Sequence, residues 1–157
     1  YISVTGVQTC ALPISRARVE DGIVVHALHE LSGLLPRTEI VILALPGGEE
    51  TAKLVDDAFL SALPDDALLA NVGRGSLVDT EALLSHLHAG RIRAALDVVD
   101  PEPVPEGHPL WSAPGLLLTP HVGGASTAMR PRIAALVRTQ AERMQRGEEP
   151  INVVLRT

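Results

Sequence analysis

Short runs of aliphatic and β-branched residues alternate with stretches whose apolar positions recur every three or four residues, from Gly22 almost to the end of the chain. That alternation predicts a parallel sheet covered by crossover helices. Residues 23–26 (IVVH) make a short predicted strand, and residues 39–45 (EIVILAL) a near-continuous apolar run of the kind buried on both faces. Residues 67–72 (ALLANV), 92–98 (IRAALDV) and 116–119 (LLLT) repeat the theme, each followed by strand-breaking residues. Between two of these runs, residues 80–89 place Ala82, Leu83, Leu84 and Leu87 on one side of a helix, with Asp79 as N-cap and Gly90 as its stop. A last helix is predicted over 128–146, capped by Ser126 or Thr127 and ended by Gly147, with a stripe of Ile133, Leu136, Val137, Gln140, Ala141 and Met144. Pro131 must lie in its first turn, because a mid-helix proline costs about 3 kcal/mol.

Composition narrows the field. A chain of 157 residues, 46% hydrophobic and 20% charged, suits one domain with a real core. The aromatic residues are only Tyr1, Phe59 and Trp111, and the net charge is -6, so neither base stacking nor phosphate-backbone binding is expected. The single cysteine, Cys10, excludes an internal disulfide framework and fits a reducing, cytoplasmic setting. No apolar run approaches the length of a membrane span, about 18 residues or more, and no metal site is expected. The five histidines 26, 29, 86, 88 and 108 read as surface or packing residues. The first fourteen residues, YISVTGVQTCALPI, resemble a recurrent translation of sequencing-adapter DNA, so residues 1–14 are expected to be a non-native leader outside the fold.

In an open parallel sheet, ligands sit at the carboxyl ends of the strands. There the polar residues gather: Gly73, Arg74, Gly75 and Ser76 after the third run, Asp100 to Pro103 after the fourth, and Pro120, His121, Val122, Gly123 and Gly124 after the fifth. An arginine fork grips a carboxylate through two parallel charge-assisted hydrogen bonds, which assigns substrate orientation to Arg74. Delivery of hydride to a ketone leaves charge on oxygen, and a histidine is the natural proton donor beside it, here His121. A carboxylate bonded to the imidazole fixes its tautomer and stabilises its charged form, the part given to Glu102.

The run NVGRGSLVDTEALLSHLHAGRIRAALDVVDPEPVPEGHPLW, followed by LLLTPHVGGAS, resembles the D-isomer-specific 2-hydroxyacid dehydrogenases, over residues 22–154. The resemblance implies a NAD- or NADP-dependent oxidoreductase acting on a small 2-keto or 2-hydroxy acid, with Arg74, Glu102 and His121 as catalytic residues. It implies that Val72, Gly73 and Arg74 line the nicotinamide side, that Asp97 lies near the nicotinamide, and that the backbone of His121, Val122, Gly123 and Gly124 closes the site. Leu45, Pro46 and Thr51 match the segment beside the adenosine and ribose. Full-length members are usually homodimers, and some relatives of this fold sense NAD(H) as corepressors, which is the competing reading.

The chain departs from the family in one respect: no G-x-G-x-x-G occurs in it. The expected fold is therefore α/β, a partial Rossmann-like doubly wound parallel sheet lacking its first strand and glycine-rich loop. Residues 15–127 would form a partial NAD(P)-binding domain, and residues 128–157 a helix and tail returning toward a missing substrate domain, with exposed apolar surface. An inactive truncated fragment is then a further reading of the literal chain. Ser15, Arg16 and Arg18 fall where cofactor choice is set and leave NAD and NADP both open.

Overall fold

The computed structural model describes residues 2–4, 9–11, 18–20 and 23–152. The chain forms two compact units that divide between His121 and Val122, somewhat before the boundary at residue 127 read from the sequence.

The first unit is built on strands β1 (Ile2–Val4), β2 (Thr9–Ala11), β3 (Arg18–Glu20), β4 (Ile23–Val25), β5 (Ile40–Leu43), β6 (Ala67–Asn71), β7 (Ile92–Leu96) and β8 (Leu116–Leu118). They lie in the order β3-β4-β2-β1-β5-β6-β7-β8. From β5 to β8 every pairing is parallel, with Leu43 opposite Asn71, Asn71 opposite Leu96 and Leu96 opposite Leu118. The leader set apart in the sequence supplies β1, which pairs antiparallel with β5, and β2 beside it. An open β5 edge would carry unpaired backbone groups, and the short alternating run at the amino terminus meets that need.

Burial alternates along the central strands. Val41 and Leu43 of β5, Ala67 and Leu69 of β6, and Ala94 and Leu96 of β7 are sealed from solvent in one hydrophobic core. Ile40 and Ile42 on the opposite face of β5 are only half-buried, so the 39–45 run is not enclosed equally on both sides. Val41 and Leu43 share their core with Leu31, Phe59, Leu60, Leu83 and Leu87 of the helices, and neither Ile40 nor Ile42 belongs to it. Each fully buried leucine there contributes about 1.5–3 kcal/mol.

Two helical segments escaped the sequence pattern. Leu31–Leu34 (α1) lies between 3-10 turns and buries Leu31 and Leu34. Asp57–Ala62 (α2) starts where the Asp56 carboxylate accepts the Phe59 N–H at 2.8 Å, and it buries Phe59 and Leu60. The foreseen crossover helix is Thr80–His88 (α3), with the Asp79 carboxylate accepting the Glu81 and Ala82 N–H groups and Gly90 at φ +67°. Arg91 joins these pieces: its guanidinium donates to the carbonyls of Leu60 and Leu63, to Asp65, and through Nε to His86 Nδ1. Because Nδ1 accepts, His86 carries its proton on Nε2 and donates it to Asp57 at 3.0 Å.

The second unit holds helix α4 (Met129–Gln145), with Pro131 in its first turn and Gly147 at φ +68° after its end. Neither Ser126 nor Thr127 caps it. Ala128 occupies the N-cap without a side-chain bond, and the turn before it is held by backbone bonds from Ala125 to Val122 and from Ser126 to Gly124. The Gln140 amide donates to the Ile151 carbonyl and accepts its N–H, which ties the following tail to the helix. Ile133, Leu136, Val137 and Met144 of the predicted stripe are exposed. Among the described residues no helix is long and apolar enough to cross a membrane.

Candidate active site at the strand ends

The carboxyl ends of β6, β7 and β8 lie side by side, so three consecutive corners of chain meet along one edge of the sheet. The first corner is fixed by Asn71. Fully buried, it accepts the Gly73 N–H at 3.0 Å and donates to the Arg74 carbonyl at 2.8 Å, which closes the turn from inside. Gly73 and Gly75 are glycines because of close approach: a Cβ at 73 would lie 2.6 Å from the Leu45 carbonyl oxygen, and one at 75 would collide with the Val99 backbone. The loop after β5 is sewn to the same corner. Lys53 N–H donates to the Ser76 carbonyl, Val55 N–H to Leu77, and Asp79 N–H returns to Val55.

Lys53 Nζ and the Asp79 carboxylate, 2.9 Å apart, complete that seam. Their hydrogen bond raises the Lys53 ammonium above its usual range and holds the Asp79 carboxyl below its own, with the Ala82 N–H assisting at Asp79.

Arg74 stands on this corner and is exposed. Its Nη1 donates to the neighbouring Gly73 carbonyl at 2.6 Å, and its stem lies over Gly47, where a Cβ would be 3.1 Å from the Arg74 Cγ. Val72 is exposed beside it, whereas Gly73 and Leu45 are buried against each other. Thr51 spends its hydroxyl on the Pro46 and Gly48 carbonyls, keeping its own loop closed.

The second and third corners enclose a cavity of about 410 Å³. Asp97, whose N–H donates to the Asn71 carbonyl, lines it together with Thr119, His121 and Glu102. Its walls are otherwise apolar: Val99, Pro103, Val104, Trp111, Leu118 and Pro120. The Trp111 indole donates to the Pro105 carbonyl at 2.9 Å, which orients the ring. His121 Nδ1 and Glu102 Oε1 are 2.7 Å apart, both side chains roughly half exposed at the rim. With Nδ1–H given to the carboxylate, Nε2 is the ring atom left for chemistry. His121 holds its backbone at φ +54°, a left-handed conformation that costs a non-glycine residue roughly 1–2 kcal/mol.

The structure thus brings Glu102, His121 and Asp97 together around one cavity. It does not bring Arg74 into that lining, because the guanidinium turns back onto its own loop. Val122, Gly123 and Gly124 open the second unit. Ser15 and Arg16 lie outside the described residues, and of Arg18 only the backbone, in β3, is described. Two residues at this edge were not singled out from the sequence: Asn71, which the Asn-x-Gly spacing could have flagged as a turn, and Thr119, which reads as an ordinary strand end. Among the described residues no group of three or more His, Cys, Asp or Glu side chains is placed to hold a metal ion.

A parallel α/β sheet with its polar residues collected at the carboxyl edge is the architecture of a nucleotide-binding domain. The model of one such domain, the D-isomer specific 2-hydroxyacid dehydrogenase NAD binding domain, matches residues 2–123. Glyoxylate/hydroxypyruvate reductase A of Klebsiella pneumoniae is 38% identical over 120 residues, 76% of this chain and 38% of that protein. A D-isomer specific 2-hydroxyacid dehydrogenase of Xanthobacter autotrophicus Py2, solved with NADPH and MES, is 36% identical with a TM-score of 0.77, over 94% of this chain and 59% of that one. An NADPH-dependent glyoxylate/hydroxypyruvate reductase of Sinorhizobium meliloti, solved with NADP and malonate, is likewise 36% identical, with a TM-score of 0.75 over 90% of this chain and 43% of that one. The chain belongs to the D-isomer specific 2-hydroxyacid dehydrogenase family. It spans less than half the length of the curated relatives it matches, from 36% to 47% of the first three.

Proposed function

We propose that these strand ends form the reducing site of a NAD(P)-dependent oxidoreductase acting on small 2-keto and 2-hydroxy acids. The observation that carries this reading is the 2.7 Å pair of His121 Nδ1 and Glu102 Oε1 at the rim of a cavity with apolar walls. The donor set fits a nicotinamide: apolar surface from Val99, Trp111 and Leu118, and the Asp97 carboxylate to meet its amide. The bound cofactor supplies or removes a hydride. In the reducing direction His121 Nε2–H gives its proton to the carbonyl oxygen as charge develops there, and Glu102 keeps the ring in the required tautomer and supports its positive form. Arg74 binds the substrate carboxylate, after its guanidinium exchanges the Gly73 carbonyl for the stronger anionic acceptor.

Glyoxylate and hydroxypyruvate are the substrates to try first, since relatives bear those names. Because the chain spans only part of its relatives, the assay is best run on a chimera in which residues 23–152 replace the matching segment of the Klebsiella pneumoniae reductase. Oxidation of reduced cofactor is then followed optically with either substrate. The expected result is turnover that His121→Asn lowers by about 10²–10⁴-fold, the usual contribution of a general acid. A working chimera indifferent to His121→Asn would reject the assignment.

A further inference from the structure

Thr119 uses all three of its polar groups at once. Its N–H donates to the Leu96 carbonyl at 2.9 Å and extends the β7–β8 pairing by one step. Its hydroxyl donates to Asp97 Oδ1 at 2.6 Å, across the two neighbouring strand ends. Its carbonyl accepts the His121 N–H at 3.0 Å, closing a three-residue turn around Pro120, whose fixed φ suits such a turn. His121 leaves that turn in the left-handed conformation from which its ring reaches Glu102. Asp97, Thr119, His121 and Glu102 all line the same cavity.

We propose that Thr119 is a positioning residue that sets both the Asp97 carboxylate and the His121 imidazole, coupling the carboxylate on the cavity wall to the acid/base pair at its rim. Valine has the same shape and strand propensity as threonine and would keep the two backbone bonds, the one from His121 included, so Thr119→Val isolates what the hydroxyl adds to the coupling. Its removal takes one hydrogen bond from the Asp97 carboxylate and takes away the side-chain tie between the second and third corners. The identity of the ligand rests on the function proposed above, whereas the positioning itself does not.

The test uses the 157-residue chain and its Thr119→Val and Thr119→Ser variants. Without ligand, NMR of the His121 ring and of the Asp97 carboxyl carbon reads the positioning directly. Thr119→Val is expected to move both sets of signals and Thr119→Ser to leave both near the parent, with melting temperatures showing that all three chains are folded. Signals at Asp97 and His121 unmoved by Thr119→Val would overturn the proposal, as would a Thr119→Ser chain that behaves like the valine variant. A second arm titrates reduced nicotinamide mononucleotide, which presents the nicotinamide end alone. Trp111, the chain's one tryptophan, lines the cavity and reports binding by its quenching. Thr119→Val is expected to weaken that binding about tenfold, the scale of one hydrogen bond to a charged group, and equal affinity in the two chains would count against the proposal. Absence of quenching in the parent chain, with the ligand-free shifts present, would instead sink the nicotinamide reading and leave Thr119 as the link between the two corners. If Thr119→Val fails to fold, Thr119→Ala in the same ligand-free measurement decides the matter.

Discussion

The corner that bears Arg74 and the corner that bears His121 are built in opposite ways. At the first, the backbone is held by buried Asn71, by two glycines in close contact with other strands' loops and by the seam to Val55, yet the arginine itself is exposed and its guanidinium donates to its neighbour's carbonyl. At the third, the candidate side chains are bonded to partners, His121 to Glu102 and Thr119 to Asp97, while the histidine backbone sits in a costly conformation. A rigid loop with a movable cation suits capture of an anion, and a bonded pair on a bent backbone suits proton transfer at a fixed point. Preorganisation is therefore invested in different atoms at the two corners.

That contrast can be broken most severely at Gly75. A methyl group there meets the Val99 backbone, so Gly75→Ala should destabilise the first unit by about 3 kcal/mol or more, measured as a drop in the denaturant midpoint. A normal midpoint would show that the first corner has slack the geometry denies. Asn71→Ala should come next, at about 1–3 kcal/mol, since it leaves the buried Gly73 N–H without its acceptor, while the Arg74 carbonyl keeps the Leu77 N–H. Glu102→Gln should change stability by less than about 1 kcal/mol, because the pair is half exposed. In the working chimera it should nevertheless lower kcat substantially, and a large stability loss with intact kcat would reverse the roles assigned to the two corners.

The smallest effect belongs to the Lys53–Asp79 pair on the seam. Asp79 is depressed, so its contribution is present above the ordinary carboxylate range and is lost as pH falls through the lowered value, below about 4. Lys53 is raised, so its contribution is complete below the usual lysine range and is lost as pH rises through the elevated value, above about 10. Asp79→Asn should flatten the acid side of the melting-temperature profile, and added salt should reduce the difference between the two chains. A profile with the same acid slope in both would remove the pair from the account of the seam.

The strands and α3 were legible because their signals are local: aliphatic runs, an aspartate cap, a glycine stop. Helix α2 was not read, although Asp56 is a good cap, because six residues carry too little periodicity to stand out beside the run before it. The cap of α4 was misassigned for the reverse reason. Ser126 and Thr127 are ideal cap types, but backbone bonds had already folded that turn. At the candidate site, residue type and position after a strand singled out Arg74, Glu102 and His121 as the proposed set. That Glu102 and His121 share a cavity wall while Arg74 turns aside depends on the loop path from 97 to 121 and on side-chain rotamers, neither of which is written in spacing. Thr119 was invisible because its partner is 22 residues away and its role lies in a hydroxyl that strands commonly carry.

Arg91 gathers the Leu60 and Leu63 carbonyls, Asp65 and His86 into one fork, and none of these residues lines the cavity. A lysine there could satisfy one of these acceptors but not the set. An Arg91→Lys chain would accordingly present the α2 segment to a protease more often while the cavity walls kept their shape. That offers a handle for nicking the molecule on its far flank and asking whether ligand capture survives the cut.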